Sequence, residues 1–167
     1  MFKRHQNLRT MSRIALLSAL CVVLRLQFSA WGNVQPITAI FLVSAVTFGL
    51  TQGISAMAIT MLVSSFLLGF GIWVPFQILS FAIIMVLWRY FFPLLAKSIV
   101  LQSIVAAGLA FFYGVVIDSF MAAVFGMPWW TYVAAGASFN LAHAISTLCF
   151  YPIILMIFRR FLDEKMV

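Results

Sequence analysis

Three ionisable residues, Arg25, Asp118 and His143, stand inside long apolar stretches of the chain. A charged group at the centre of a bilayer costs on the order of 2.5–3.5 kcal/mol on insertion scales, so in a membrane each calls for a partner or a role. Carboxamides accompany them at Asn33, Gln35, Gln77 and Asn140. Gly136, Asn140, His143 and Thr147 follow the three-and-four spacing that puts residues on one face of a helix. Trp73 and Gln77 are likewise one turn apart, offering a ring and a carboxamide together. Amides and aromatic surface with few charges suit a small, planar, hydrogen-bonding solute better than an inorganic ion.

Two plainer accounts stand beside a ligand role. Arg25 and Asp118 can neutralise each other, or Arg25 can extend its head to the outer lipid headgroups. A polar stripe can also serve as interhelical glue, worth about 0.6 kcal/mol per contact in lipid. Bond-making chemistry has less support. The sequence holds no Gly-x-x-x-x-Gly-Lys-Ser/Thr phosphate loop, so the chain is not expected to use ATP alone. It has no carboxylate pair in an apolar stretch, no His/Asp/Glu cluster at metal-ligand spacing and no Ser or Cys with an evident base beside it in sequence. Cys21 and Cys149 read as small buried hydrophobes. The expectation is a non-enzyme with no metal and no cofactor.

The elements that must position these residues follow from composition. The chain is 65% hydrophobic and 8% charged, with a mean hydropathy of +1.16, against roughly 45–50% apolar and about 25% charged for soluble domains. A spanning helix takes about 20 residues, so 167 residues accommodate six helices with short loops. The pattern predicts one membrane domain over 1–167, with helices at about 12–28, 35–49, 54–68, 75–90, 97–124 and 130–158. The apolar run after Lys3, Arg4 and Arg9 could pass for a signal peptide. It carries Arg25 and leads into a second apolar segment, which argues for retention as the first helix.

The net charge of +7 does not point to nucleic acid, because the basic residues sit singly or in pairs at the ends of apolar segments, as topology determinants do. With six spans the termini share a face. Lys3, Arg4, Arg9, Arg13, Arg89, Lys97, Arg159, Arg160 and Lys165 all fall on it, which predicts cytoplasmic N- and C-termini. The segments around Trp31, Trp73 and Trp129 then face outward. On this frame Arg25 lies about 18 Å beyond Arg13, Asp118 about 31 Å beyond Lys97 and His143 about 20 Å below the outer face, at 1.5 Å per residue. All three are at mid-membrane or outside it.

The segments Ala15-Leu16-Leu17-Ser18-Ala19, Asn33-Val34-Gln35-Pro36-Ile37-Thr38-Ala39 and Gly71-Ile72-Trp73-Val74-Pro75-Phe76-Gln77, in this order in a six-helix chain, resemble the substrate-binding S components of energy-coupling factor (ECF) vitamin transporters. The resemblance covers essentially the whole chain, and its nearest side is the riboflavin and hydroxymethylpyrimidine group. It implies an ABC-type importer of a bacterial plasma membrane, in which this chain captures a vitamin or precursor and docks on a transmembrane coupling protein driven by two cytoplasmic ATPase subunits. The docking face would be Ala15 and Ala19, which suit close helix approach. The binding residues would be Asn33, Gln35, Trp73, Gln77, Asp118, Asn140 and His143, with the first loop as a lid. Arg25 does not map onto the family's motifs and is left as a charge partner.

Hydroxymethylpyrimidine or pyridoxine is the expected cargo, with riboflavin or cobalamin in the same role as alternatives. A six-span structural scaffold and a solitary proton-coupled carrier are the rivals from other classes. A scaffold has no need of the stripe on the last helix, and one six-helix chain lacks the paired halves of the usual alternating-access folds.

Overall fold

The computed structural model describes residues 2–95 and 97–161. Lys165, counted above among the topology determinants, lies outside them, as do the side chains of Lys3 and Arg4. Six helices follow one another: α1 (Phe2–Gln27), α2 (Ile37–Thr47), α3 (Leu50–Leu68), α4 (Trp73–Leu95), α5 (Ile99–Phe125) and α6 (Trp129–Phe161). All but α2 are long and apolar enough to cross a membrane. The chain is an all-helical, multi-pass membrane protein, and large apolar side chains such as Leu16, Phe66, Leu94 and Trp130 stand exposed on its outside, as lipid-facing residues do. In an alternating bundle Arg9 and Arg13, Arg89, Lys97, and Arg159 with Arg160 fall at one end.

The bundle is built around α2. It packs on α1, α3, α4, α5 and α6, and nine consecutive residues, Ile37 to Ala45, are buried. In a membrane an apolar face can also meet lipid, so it is this packing on all sides, and not composition alone, that encloses α2. At 1.5 Å per residue its 11 residues reach about 16 Å, roughly half of a 30 Å hydrocarbon core. Helix α2 therefore fills only part of the membrane depth, and the irregular 28–36 segment leads into its N-terminal end. Non-helical backbone at membrane depth is tolerated only where protein covers it or a cavity adjoins it.

Small residues set the close contacts. Gly49 takes φ +97° to reverse the chain into α3, where any other residue would be strained. A Cβ on Gly53 would come within 3.0 Å of the Ala45 Cα, so this glycine lets α3 lie directly against α2. Below the mid-level, Trp88 meets Tyr151 edge to face with centroids 5.3 Å apart, and the Tyr151 hydroxyl donates to Gln102 Oε1 at 3.0 Å.

Several boundaries differ from the sequence expectation for identifiable reasons. Helix α2 begins at Ile37, with Pro36 at its N-cap rather than in its first turn. The Leu50–Gly53 stretch, expected as a link, is the first turn of α3 because Gly49 alone makes the reversal. Pro93 does not end α4, which continues to Leu95, since the hydrogen bond it forfeits lies in the last turns where little is lost. Cys21 is buried as expected, but Cys149 is exposed on the outside of α6.

Candidate functional site

Above the end of α2 lies a cavity of about 360 Å³, at the lower end of the range typical of small-molecule pockets. Ile37, the first residue of α2, contributes to its lining, and all five long helices supply other parts: Arg25 from α1, Met61 and Leu68 from α3, Gln77 and Phe81 from α4, Tyr113 and Asp118 from α5, Phe139 and Asn140 from α6. Phe28, Ser29, Asn33 and Gln35 come from the irregular segment.

The 28–36 segment is tied to α6 at two points by three hydrogen bonds. Asn33 adopts φ 65°, a left-handed conformation that asparagine tolerates, and its Nδ2 donates to the Phe139 carbonyl at 3.1 Å. The Gln35 N–H donates to Ser146 Oγ at 2.9 Å, and that hydroxyl donates to the Gln35 carbonyl at 3.1 Å. The two Ser146 bonds satisfy the Gln35 N–H and carbonyl, which no helix ladder serves.

On the α5–α6 side, Asn140 Nδ2 donates to Asp118 Oδ2 at 2.7 Å. Both side chains rest against glycines: a Cβ on Gly136 would collide with the Asp118 carboxylate, and one on Gly114 with the Asn140 carboxamide. The stripe of Gly136, Asn140, His143 and Thr147 thus turns inward, with Asn140, His143 and Thr147 all buried. On the α1–α3 side, Arg25 Nη1 donates to Ser64 Oγ at 2.8 Å and approaches Met61 Sδ at 3.1 Å. Arg25 and Asp118 line the same cavity, yet each is bonded elsewhere and they form no ion pair. Mutual neutralisation by direct contact is not how this fold treats them.

Aromatic surface comes from Phe28, Phe81, Tyr113 and Phe139, with Phe81 and Tyr113 stacked at 4.0 Å. The carboxamide oxygen of Gln77 is buried without a hydrogen-bond partner among the described residues, an acceptor that a bound solute could satisfy.

Of the residues singled out in the sequence, Asn33, Gln35, Gln77, Asp118, Asn140 and Arg25 line the cavity. Trp73 and His143 are not in its lining. The Trp73 ring lies over Gly71, where a Cβ would clash with it, and remains 44% exposed. His143 is fully buried behind the wall, its ring 5.4 Å from that of Tyr113 and its Nε2 2.6 Å from Thr38 Oγ1. Ala15 and Ala19 are exposed on α1. Sequence reasoning passed over Tyr113, Phe81, Ser64 and Ser146. Ser146 lies three residues beyond His143 and could have been read as part of the stripe; the aromatics carried no signal among so many others.

A family model described as "ECF transporter, substrate-specific component" matches residues 9–155. No curated protein and no solved structure matches.

Proposed function

Because the chain belongs to the family of ECF transporter substrate-specific components, it is a substrate-binding subunit of an importer, and we propose that its cargo is a small planar heteroaromatic vitamin or precursor held in the cavity above α2. The observation that carries this reading is the cavity itself. It combines aromatic walls, the Asp118–Asn140 pair and the unpartnered Gln77 carboxamide oxygen in a chain of this family. Stacking on Phe81, Tyr113 or Phe28 would fix the ring, while Asn33, Gln77, Asn140 and Asp118 would read its edge. A volume of about 360 Å³ is too small for cobalamin and accommodates solutes from a single ring, such as hydroxymethylpyrimidine or pyridoxine, up to the size of riboflavin.

His143 would support the wall through Thr38. The exposed Ala15 and Ala19 face of α1 would dock on the transmembrane coupling protein, with two cytoplasmic ATPases supplying the energy, in a bacterial plasma membrane.

The test is native mass spectrometry of the purified chain after growth in vitamin-rich medium, with release of any retained compound by denaturation. One heteroaromatic compound at unit stoichiometry is the expected result. An empty protein that also fails to retain any solute on re-exposure to the medium would overturn the reading in favour of a structural role.

A further inference from the structure

Arg25 is a cavity residue to which the proposed binding of a neutral ring gives no task. It sits in the last turn of α1, where a cation complements the helix dipole, an effect worth about 0.3–1 kcal/mol. That falls short of the roughly 2.5–3.5 kcal/mol that insertion scales assign to an arginine in a membrane helix. A guanidinium has five N–H donors. Here only Nη1 is engaged, by two uncharged partners, Ser64 and Met61, while Nε and Nη2 make no hydrogen bond among the described residues. Asp118 is the sole acidic residue among those described, and its Oδ2 accepts from Asn140 and not from Arg25. The cavity thus presents a positive charge with most of its hydrogen-bonding capacity unspent. The start of α2 adds to the same sign, since its N-cap, Pro36, supplies no side-chain bond and Ile37 lines the cavity.

We infer that the solute carries one carboxylate, which Arg25 binds through its free N–H groups, while a donor on the opposite edge of the solute meets Asp118. The inference rests on the solute-binding reading and narrows it. A planar guanidinium matches a carboxylate bidentately. A phosphate monoester fits less well, because its charge of about −1.5 to −2 at neutral pH exceeds the single positive charge of Arg25. Neutral members of the size class, such as hydroxymethylpyrimidine and pyridoxine, would leave Arg25 hydrogen-bonded to uncharged partners alone.

The test uses the full chain in lipid nanodiscs, exposed to the small-molecule fraction of rich growth medium, washed and denatured to release what it retains. The released compound is then compared with its own methyl ester or carboxamide by equilibrium binding to wild type, Arg25→Gln and Arg25→Lys. The expected compound bears a carboxylate, and its neutral derivative binds roughly tenfold to a hundredfold more weakly to wild type. Arg25→Gln should erase that preference, and Arg25→Lys should keep its sign at lower affinity. Should Arg25→Gln fail to fold, the acid-against-ester comparison on wild type decides alone. Retention of a neutral or phosphorylated compound, or equal binding of acid and ester, overturns the inference and leaves the solute-binding reading standing. Retention of nothing overturns both.

Discussion

Asn140 donates to Asp118 across the α5–α6 contact at 2.7 Å, and each partner is seated against a glycine of the other's helix: Gly114 beneath Asn140 and Gly136 beneath Asp118. The pair and its two glycines form one unit, in which backbone bareness makes room for polar side chains inside the membrane.

Gly114→Ala and Gly136→Ala should therefore displace Asn140 and Asp118 respectively. Overpacking of this kind costs about 1–3 kcal/mol, which should appear as solute affinity weakened roughly tenfold in calorimetric titration. A Cβ on Gly108, of the same helix α5, would meet nothing within 4 Å, so Gly108→Ala should bind as wild type does. Equal effects at 108 and 114 would refute the arrangement.

Asn140→Leu leaves the Asp118 carboxylate without its donor. A buried group stripped of its partner loses about 1–3 kcal/mol. Solute binding should fall by about tenfold or more, while the variant still inserts and elutes as a single species in detergent. Affinity within a factor of about two of wild type would remove the pair from the binding site.

His143 and Thr38 face each other at 2.6 Å in the interior, and neither is in the cavity lining. His143→Leu should lower stability by about 1–3 kcal/mol by orphaning the Thr38 hydroxyl, read as a reduced thermal unfolding midpoint. Solute affinity should change less than in Asn140→Leu. The opposite pattern, unaltered stability with lost binding, would mean that His143 touches the solute directly.

Ala15→Trp places a large ring on the exposed face of α1 that the docking proposal uses. Solute retention should persist, and co-purification with a coupling protein should be lost. A variant that still assembles and transports at the wild-type rate would move the docking surface elsewhere.

The sequence was most legible where physics is one-dimensional. Hydropathy and breaker residues gave six helices and their order, and the Asn33–Ala39 and Gly71–Gln77 segments pointed to the family whose model matches. Helical spacing put Gly136, Asn140, His143 and Thr147 on one inward face. It could not say which of them reach a cavity, because depth along a face depends on what the neighbouring helices bring. His143 meets Thr38 of α2, a contact between residues far apart in the chain. Trp73 and Gln77, one turn apart, part company because Gly71 offers the indole a seat of its own. For Arg25 the sequence left a ligand role open beside pairing with Asp118 and could not name its partner, since only the packing of α1 on α3 brings it to Ser64.

The shortness and complete enclosure of α2 also bear on how the protein is made. A segment of 11 residues spans about half the bilayer and keeps no face for lipid, so by itself it is a poor candidate for independent insertion during synthesis. It would enter alongside α1 and α3 and settle only as the later helices close around it. On this account the floor of the cavity is among the last parts of the molecule to be completed, and a chain truncated before α6 would have α2 but no place to keep it.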